Sequence, residues 1–210
     1  VGELMISRYQ PAKMAAIEAA WETPKAPAGW SLFAIPNQKD QKNFAEIKIP
    51  WALSLIATHS LSGTVKGMKA IIADHKKRIQ QGIKAYSALE KMRNGNTSPT
   101  LLNQFKKYEP SLGYALLLKP YTSKVVNATP QQINLAANRD IPNVFVLYWS
   151  FRIMVFCGLL MLLLFIMGVF FGLKQTLYKK PWLLRTYLYS LPLPWIAVTA
   201  GWFIAEHGRQ

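Results

Sequence analysis

Hydrophobic and polar positions divide the chain into a polar N-terminal two thirds and a C-terminal third that contains two long apolar runs. Residues 153–173 read IMVFCGLLMLLLFIMGVFFGL and include no charged side chain in 21 positions. Residues 186–205 form a second uncharged run, which is bounded by Arg185 and Glu206. About 20 consecutive apolar residues suffice for a helix to cross the hydrocarbon core of a bilayer. The pattern therefore predicts two transmembrane helices and an integral membrane protein.

The polar two thirds carry a helical pattern. Over residues 65–93, apolar side chains recur every three or four positions and basic side chains mostly take the other faces, which predicts one long amphipathic helix. The Asn-Gly-Asn at 94–96 predicts its C-terminal end. Ser-Pro at 98–99 and Thr-Pro at 129–130 each resemble an N-cap followed by proline in the first helical turn, so they predict two more helices.

The first sixty residues give a mixed pattern. The stretch QPAKMAAIEAAWET, residues 10–23, favours a helix, since its proline suits a first turn and its alanines favour continuation. Residues 24–60 contain four prolines, so this part is predicted to be mainly loop, with a short extended piece within 44–58. We thus expect an all-α integral membrane protein with two transmembrane helices and a largely helical extracytoplasmic loop domain.

Charge sets the expected orientation and the segment boundaries. The short loop between the apolar runs holds four basic residues and no acid, which predicts that it is cytoplasmic. The polar domain and the chain end would then share the opposite side. The predicted segments are the extracytoplasmic loop domain 1–141, a transmembrane helix 142–173, the cytoplasmic basic loop 174–185 and a transmembrane helix 186–210.

The net charge of +15 is spread over both parts of the chain. Residues 1–140 hold 19 basic and 9 acidic residues, a net +10, and the remainder holds 6 and 1, a net +5. A basic surface suits nucleic acid or anionic lipid headgroups. No nucleic-acid motif accompanies the charge, so lipid is the favoured partner and nucleic acid is not. The single cysteine, Cys157, lies inside the first apolar run and cannot form an intrachain disulfide.

The second apolar run carries a polar stripe. Trp195, Thr199, Trp202 and Glu206 are spaced by four, three and four residues, and Arg209 follows three later, so all lie along one helical face. Ionisable groups at membrane depth usually face a bundle interior, a cavity or a cofactor. The alternative is that Glu206 only marks the water interface and that Arg209 neutralises it. Periodicity leaves both interpretations open.

The three histidines give no metal-binding pattern. His207 lies about 100° around the helix from its glutamate neighbour, so both cannot face the same partner squarely. His59 and His75 are isolated in the polar domain, without ligand spacing around them. No zinc site is predicted.

Two further features could carry chemistry. Met154 lies at the start of the first apolar run, close to Arg152 and to one membrane surface. Small residues follow it on the same face of the helix. A thioether can ligate haem iron, although most methionines only fill space.

In the first helix, Lys13 and Glu18 are five residues apart, roughly 140° around the helix, and are poorly placed to pair with each other. Either both are solvated, or each contacts something else, such as a lipid-phase substrate that gives up a proton.

Three stretches, taken together, resemble subunit I of the cytochrome bd quinol oxidases. They are QPAKMAAIEAAWET, FRIMVFCG and LPLPWIAVTAGWFIAEHGRQ, in this order and separated by a long polar loop. The last is the most specific, and GIKAYSALEKMRNG and LGYALLLKPYT extend the resemblance through the loop. The loop's length resembles the long-loop branch of the family. Tyr9 stands where many relatives have a histidine before Gln-Pro.

The resemblance implies a role for each candidate residue. Lys13 and Glu18 fall on the quinol-binding loop's functional lysine and glutamate. Met154 falls on the axial ligand of the low-spin haem b, with Arg152 close to that haem. The remaining positions belong to the oxygen-reducing end: Glu206 as ligand of the high-spin haem b, Trp202 between the haems, and Arg209 as a nearby charge partner.

The resemblance also implies cofactors, partners and location. It implies haem b in low-spin (b558) and high-spin (b595) forms, haem d, and ubiquinol or menaquinol as substrate, with reduction of oxygen to water. The implied partners are the N-terminal helices of subunit I, subunit II and membrane lipid, in the bacterial cytoplasmic (inner) membrane. Both chain ends are interpreted as cut, and the family's histidine ligands belong to earlier helices. We therefore expect the chain alone to be inactive. The rival interpretations are a membrane-anchored sensor or binding domain, or a transporter fragment.

Overall fold

The computed structural model describes residues 2–60, 62–96, 98–139 and 141–208. This part of the chain is mainly helical, as predicted, with one β-hairpin near the N-terminus. Short 3₁₀ turns occur at Glu109–Ser111, Val125–Asn127 and Leu177–Lys179. The elements in chain order are α1 (Gly2–Tyr9), α2 (Pro11–Ile17), β1 (Trp30–Asn37), β2 (Lys42–Ile49), α3 (Ala52–Thr58), α4 (Met68–Arg93), α5 (Pro99–Tyr108), α6 (Leu112–Leu116), α7 (Pro130–Arg139), α8 (Val144–Leu173), α9 (Pro181–Ser190) and α10 (Leu193–His207).

The long helix α4 organises the loop domain, as its apolar spacing predicts. It begins at Met68, three residues later than expected, and ends at Arg93 before Asn94 and Gly95, whose φ is +90°. Its buried face supplies isoleucines and small residues to the core. Gly82 is needed there, because a Cβ at this position would lie 2.4 Å from the carbonyl oxygen of Ser111. The missing side chain lets the backbone that leads into α6 pack directly on α4.

Both predicted N-caps are present. The Ser98 hydroxyl accepts a hydrogen bond from the Leu101 amide at 3.4 Å at the start of α5. At α7, the Thr129 hydroxyl accepts from the Gln132 amide at 3.3 Å, and the Gln132 side chain accepts from the Thr129 amide at 2.9 Å. This reciprocal arrangement is a capping box, which satisfies two backbone donors at the helix terminus.

Residues 24–60 differ from the prediction of a mainly loop segment. Strands β1 and β2 pair antiparallel, from Trp30 opposite Ile49 to Asn37 opposite Lys42, with register shifts on either side of Ala34. The Asn37 side chain accepts hydrogen bonds from the amides of the next turn and so closes the hairpin. Aromatic and β-branched residues favour these strands. The prolines that indicated a loop lie between elements or near a register shift, where a missing N–H is tolerated.

The first apolar run forms one continuous helix, α8, whose two halves have different surroundings. Val144, Leu147 and Tyr148, in its first turns, are fully buried against α2 and β1. Further along, exposure reaches 69% at Phe165 and 82% at Leu173. Such a continuous apolar surface suits a lipid environment. Its length and composition allow it to cross a membrane.

The second apolar run is interrupted, which the prediction of a single span over 186–205 missed. Helix α9 begins at Pro181, inside the predicted basic loop, and α10 begins at Leu193 after a turn. Prolines at 192 and 194 explain the break, because each lacks the N–H that would continue the helical ladder. The joined stretch Pro181–His207 is still long and apolar enough to cross a membrane. Within α9, the Tyr187 hydroxyl donates to the carbonyl of Leu164 at 2.5 Å and fixes the segment against α8.

Candidate functional site

Glu18 and Arg152 form a buried ion pair where the loop domain meets the first long apolar helix. Glu18 is the C-cap residue that directly follows α2, and its side chain is 2% exposed. Arg152 lies in the third turn of α8 and its side chain is 8% exposed. The Arg152 Nη2 atom donates to Glu18 Oε2 at 2.9 Å. A buried charge is tolerated when it is paired and hydrogen-bonded, and each of these two ions supplies what the other needs.

Strand β1 completes the surroundings of this pair. The Trp30 indole donates to the second carboxylate oxygen, Glu18 Oε1, at 3.3 Å. The backbone carbonyl of Ser31 accepts from Arg152 Nε at 2.9 Å and also from Nη2. The guanidinium carbon lies 4.4 Å from the ring centre of Tyr148 and 4.7 Å from that of Trp30. Aromatic faces stabilise a desolvated cation, so the guanidinium is held both at its edge and on its faces.

One hydrogen-bond donor of this cluster has no acceptor among the described residues. In the part of the chain that the structure describes, Arg152 Nη1 is buried and has no hydrogen-bond acceptor. Buried polar atoms are nearly always paired, and an exception indicates a missing ligand, water or ion. An N–H of a guanidinium suits a carboxylate, carbonyl or phenolic oxygen. The site therefore fits a group that brings an oxygen to this position.

The structure places Lys13 at a different point from Glu18. The Lys13 side chain, partly exposed on α2, packs against Gly208 just beyond α10. A Cβ at Gly208 would lie 2.7 Å from Lys13 Cε, so the lysine side chain lies close against the bare backbone of this glycine. Helix α2 thus contacts the start of α8 through Glu18 and the end of α10 through Lys13. This agrees with the alternative in which each of the two residues contacts something other than its partner in the helix.

Met154 lies where α8 crosses α10. Its sulfur is 3.4 Å from the position that a Cβ on Gly201 would occupy, so the thioether sits against the bare backbone of α10. Cys157 is buried on the same side. Gly158, in contrast, has no atom of the described residues within 4 Å of its Cβ position. The surface of α8 is thus open at Gly158, one helical turn after Met154, and a flat group such as a haem fits against a position without a side chain.

Glu206 and Trp202 lie on the outer face of α10. Both are exposed, as are Trp195 and Thr199, so the predicted stripe lies together on one face. This stripe faces away from α8, whereas Ala200 and Ile204 on the same helix are buried. The structure therefore does not bring Glu206 and Met154 together. Arg209, the proposed charge partner, lies outside the described residues.

His207 also lies on the exposed surface of α10, with its ring 5.3 Å from that of Phe203. Among the described residues, no three His, Cys, Asp or Glu side chains are close enough together to hold a metal ion.

Sequence reasoning missed a cavity of about 540 Å³ between the start of α2, α4 and α6. His75 and Arg78 line it from α4 and Tyr114 from α6. The Arg78 guanidinium donates to the Tyr114 hydroxyl at 3.3 Å, and the His75 ring lies 5.6 Å from the Tyr114 ring. No spacing of residues in the sequence indicates this grouping, because its members come from three separate helices.

Comparisons with known proteins identify the family. The family model described as cytochrome bd terminal oxidase subunit I matches residues 2–210. This chain belongs to that family. Subunit 1 of the Escherichia coli cytochrome bd-II ubiquinol oxidase is 40% identical over 205 residues, which cover 98% of this chain and 40% of that protein. Subunit 1 of the Bacillus subtilis cytochrome bd ubiquinol oxidase is 31% identical over 201 residues, 96% of this chain and 31% of that protein.

A solved structure has a similar fold. The bd oxidase from Geobacillus thermodenitrificans matches with a TM-score of 0.50 at 20% identity, over 99% of this chain and 33% of that chain. At this identity the likeness shows the fold. The chain spans about a third to two fifths of the length of these proteins. The family is one of haem-containing respiratory quinol oxidases.

Proposed function

We propose that this chain is the C-terminal part of subunit I of a cytochrome bd-type terminal oxidase, which oxidises quinol and reduces oxygen to water. The buried Glu18–Arg152 pair carries the proposal. It joins Glu18, a candidate quinol-binding residue, to Arg152 on α8. Met154 follows Arg152 by two residues in the same helix. Earlier helices of subunit I and subunit II are the proposed protein partners.

Quinol is proposed to bind where α2 meets the long apolar helices. Oxidation of a quinol to a quinone releases two electrons and two protons, so the site needs a proton acceptor. The Glu18 carboxylate is such an acceptor, and the Lys13 ammonium is a donor for a quinol oxygen. The contacts with Arg152 and Gly208 place the two residues beside α8 and α10. The proposed substrate is ubiquinol or menaquinol.

The haem groups, when bound, supply one-electron transfer from quinol and the reduction of oxygen. We propose that Met154 holds the iron of the low-spin haem b558 and that Glu206 holds the iron of the high-spin haem b595, near haem d. The open backbone at Gly158 supports the first assignment, and the exposed carboxylate on the outer face of α10 supports the second. Trp202 lies one turn before Glu206 on this face. Arg209 is the proposed charge partner of Glu206, and Arg152, whose buried Nη1 donor is open to an oxygen of a bound group, is the proposed residue close to the low-spin haem b.

The proposed location is the bacterial cytoplasmic membrane, which α8 and the α9–α10 stretch would cross. The loop domain would lie on the extracytoplasmic side, because four basic residues and no acid occupy 174–185. Protons from quinol would then leave on the outside. Protons for water would come from the inside, and the reaction would contribute to the membrane potential.

Reduced-minus-oxidised spectra of the intact oxidase test the haem assignments. We expect Met154→Ala to lose the low-spin haem b band and Glu206→Ala to lose the high-spin band. Retention of every haem band in both variants would contradict the assignments of Met154 and Glu206.

Quinol oxidation by the same intact enzyme tests the substrate site. We expect Glu18→Gln to keep all haem bands and to lower the rate by roughly 10²- to 10⁴-fold, the range for loss of a positioned proton acceptor. Glu109→Gln, at an exposed carboxylate of the same loop domain, is the matched control and should keep the full rate. A normal rate in Glu18→Gln would overturn the proposed role of Glu18.

A further inference from the structure

Trp30, the first residue of β1, contacts both members of the buried ion pair. Its indole N–H donates to Glu18 Oε1 at 3.3 Å, and its ring lies 4.7 Å from the guanidinium carbon of Arg152. Arg152 Nη2 holds the other oxygen, Glu18 Oε2, at 2.9 Å. Each carboxylate oxygen therefore has its own donor, and the two donors come from different elements.

The hairpin fixes the position of this indole. Trp30 pairs with Ile49 on β2, and the next residue, Ser31, gives its backbone carbonyl to Arg152. The hydroxyl of Tyr148 on α8 also donates to this carbonyl, at 3.3 Å. Two consecutive residues of β1 thus contact the carboxylate and the guanidinium directly. The strand is a fixed support for the pair.

We infer that Trp30 is a positioning residue for Glu18 in quinol oxidation. The inference rests on the proposed role of Glu18 as proton acceptor. A single donor leaves a carboxylate free to turn about its terminal bond, whereas donors on both oxygens fix its plane. Proton transfer depends on such a fixed geometry, because the acceptor must lie within hydrogen-bond reach of the reacting hydroxyl. Trp30 acts through Glu18 and does not itself take the proton.

Trp30→Phe in the intact oxidase is the direct test. The substitution removes the indole N–H and keeps an aromatic ring beside Arg152. Trp21→Phe is the matched control, because Trp21 is buried in the same domain and its indole donates to Asn43 at 2.9 Å instead. Both variants lose one indole hydrogen bond, so a general loss of stability would affect both. Haem content, measured from the spectra, shows that each variant is assembled.

We expect Trp30→Phe to lower kcat for quinol oxidation by roughly three- to tenfold, the effect of losing one ordinary hydrogen bond, because the contact to Glu18 is a long one of 3.3 Å. Trp21→Phe should keep the rate. With an artificial electron donor that releases no proton, both variants should match the unaltered enzyme. The inference would be overturned by equal quinol oxidation rates in Trp30→Phe and Trp21→Phe. It would also be overturned if Trp30→Phe lost as much rate with the artificial donor as with quinol.

A double-mutant cycle separates this inference from the proposed function. In a Glu18→Gln background, Trp30→Phe should cause no further loss, because the two residues act as one unit. An additional loss of the same size there would show that Trp30 acts independently and would overturn the inference. A Glu18→Gln enzyme with a normal quinol rate would instead overturn the role of Glu18. If Glu18→Gln has no measurable rate, the comparison of Trp30→Phe with Trp21→Phe decides whether Trp30 positions Glu18.

Discussion

Arg152 and Glu18 lie 134 residues apart in the chain and 2.9 Å apart in the structure, where Nη2 of one meets Oε2 of the other. The contact ties the end of α2 to the first turns of α8. It thereby fixes the loop domain to the helix that carries Met154. The loop domain and the apolar helices are thus joined at the residues that the family resemblance assigns to quinol and haem.

Removal of Arg152 should destabilise the loop domain strongly. Arg152→Met leaves the Glu18 carboxylate buried without its counterion, which costs about 3–5 kcal/mol. Arg152→Met with Glu18→Gln should recover much of this loss, because no unpaired charge remains. Limited proteolysis and thermal unfolding of the intact oxidase measure the effect. An equal loss in the single and double variants would show that packing, not charge, holds the site.

The exposed pair Lys69–Glu22 provides the matched comparison. Its N–O distance is also 2.9 Å, but Lys69 and Glu22 are both solvated. Lys69→Met should therefore leave thermal unfolding nearly unchanged, since exposed ion pairs contribute little. A large loss there would mean that distance alone, not burial, sets the contribution of these pairs.

The same exposed pair should give a small acid-dependent effect. The hydrogen bond from Lys69, and then its charge, lower the pKa of Glu22 below its ordinary value of 4.5, with a smaller contribution from the charge of Lys42. A lowered pKa in the folded state stabilises the fold above the unfolded value. That stabilisation is lost as pH falls through the folded value. The difference in melting temperature between Lys69→Met and the unaltered enzyme should therefore shrink as acidification protonates Glu22 in the folded state, and it should also shrink at high salt. A difference that grows on acidification would contradict the assignment.

Gly82 should not tolerate a side chain. A Cβ at this position would lie 2.4 Å from the Ser111 carbonyl oxygen and 3.2 Å from the Ala115 Cβ, so Gly82→Ala should destabilise the loop domain by about 1–3 kcal/mol. Gly113→Ala is the control, because no described atom lies within 4 Å of its Cβ position and α6 should gain from alanine. Proteolysis of the loop domain measures both. Equal resistance in the two variants would show that α6 moves easily away from α4.

Local patterns predicted the helices well and the contacts between them poorly. The spacing over α4, the caps at Ser98 and Thr129 and the apolar run of α8 all depend on neighbouring residues, so the sequence carries their signal. The hairpin depends on pairing between strands, and the prolines around it favoured a loop prediction. The break before α10 did have a signal, in Pro192 and Pro194, but the uncharged run hid it.

The candidate site divides in the same way. The stripe of Trp202 and Glu206 follows from helical periodicity, and the structure places both on one face. The partner of Glu18 could not be predicted, because Arg152 comes from a distant helix. Trp30 was not predicted either, since its role depends on a strand that the pattern did not show. The roles of Met154 and Lys13 came from the family resemblance and stay predictions.

Substitutions at Gly201 test whether the contact between α8 and α10 positions the Met154 side chain. A methyl group at Gly201 would lie 3.4 Å from the Met154 sulfur, an ordinary contact, so Gly201→Ala should be tolerated. Gly201→Leu adds three more carbons and should displace the thioether. If Met154 holds the low-spin haem b as proposed, the reduced-minus-oxidised spectrum and the midpoint potential of that haem should then change, because loss of a thioether ligand lowers the potential. Gly172→Leu, at the far end of α8 where no described atom lies within 4 Å, should leave both unchanged. A normal spectrum and potential in Gly201→Leu would show that the contact with α10 does not position Met154.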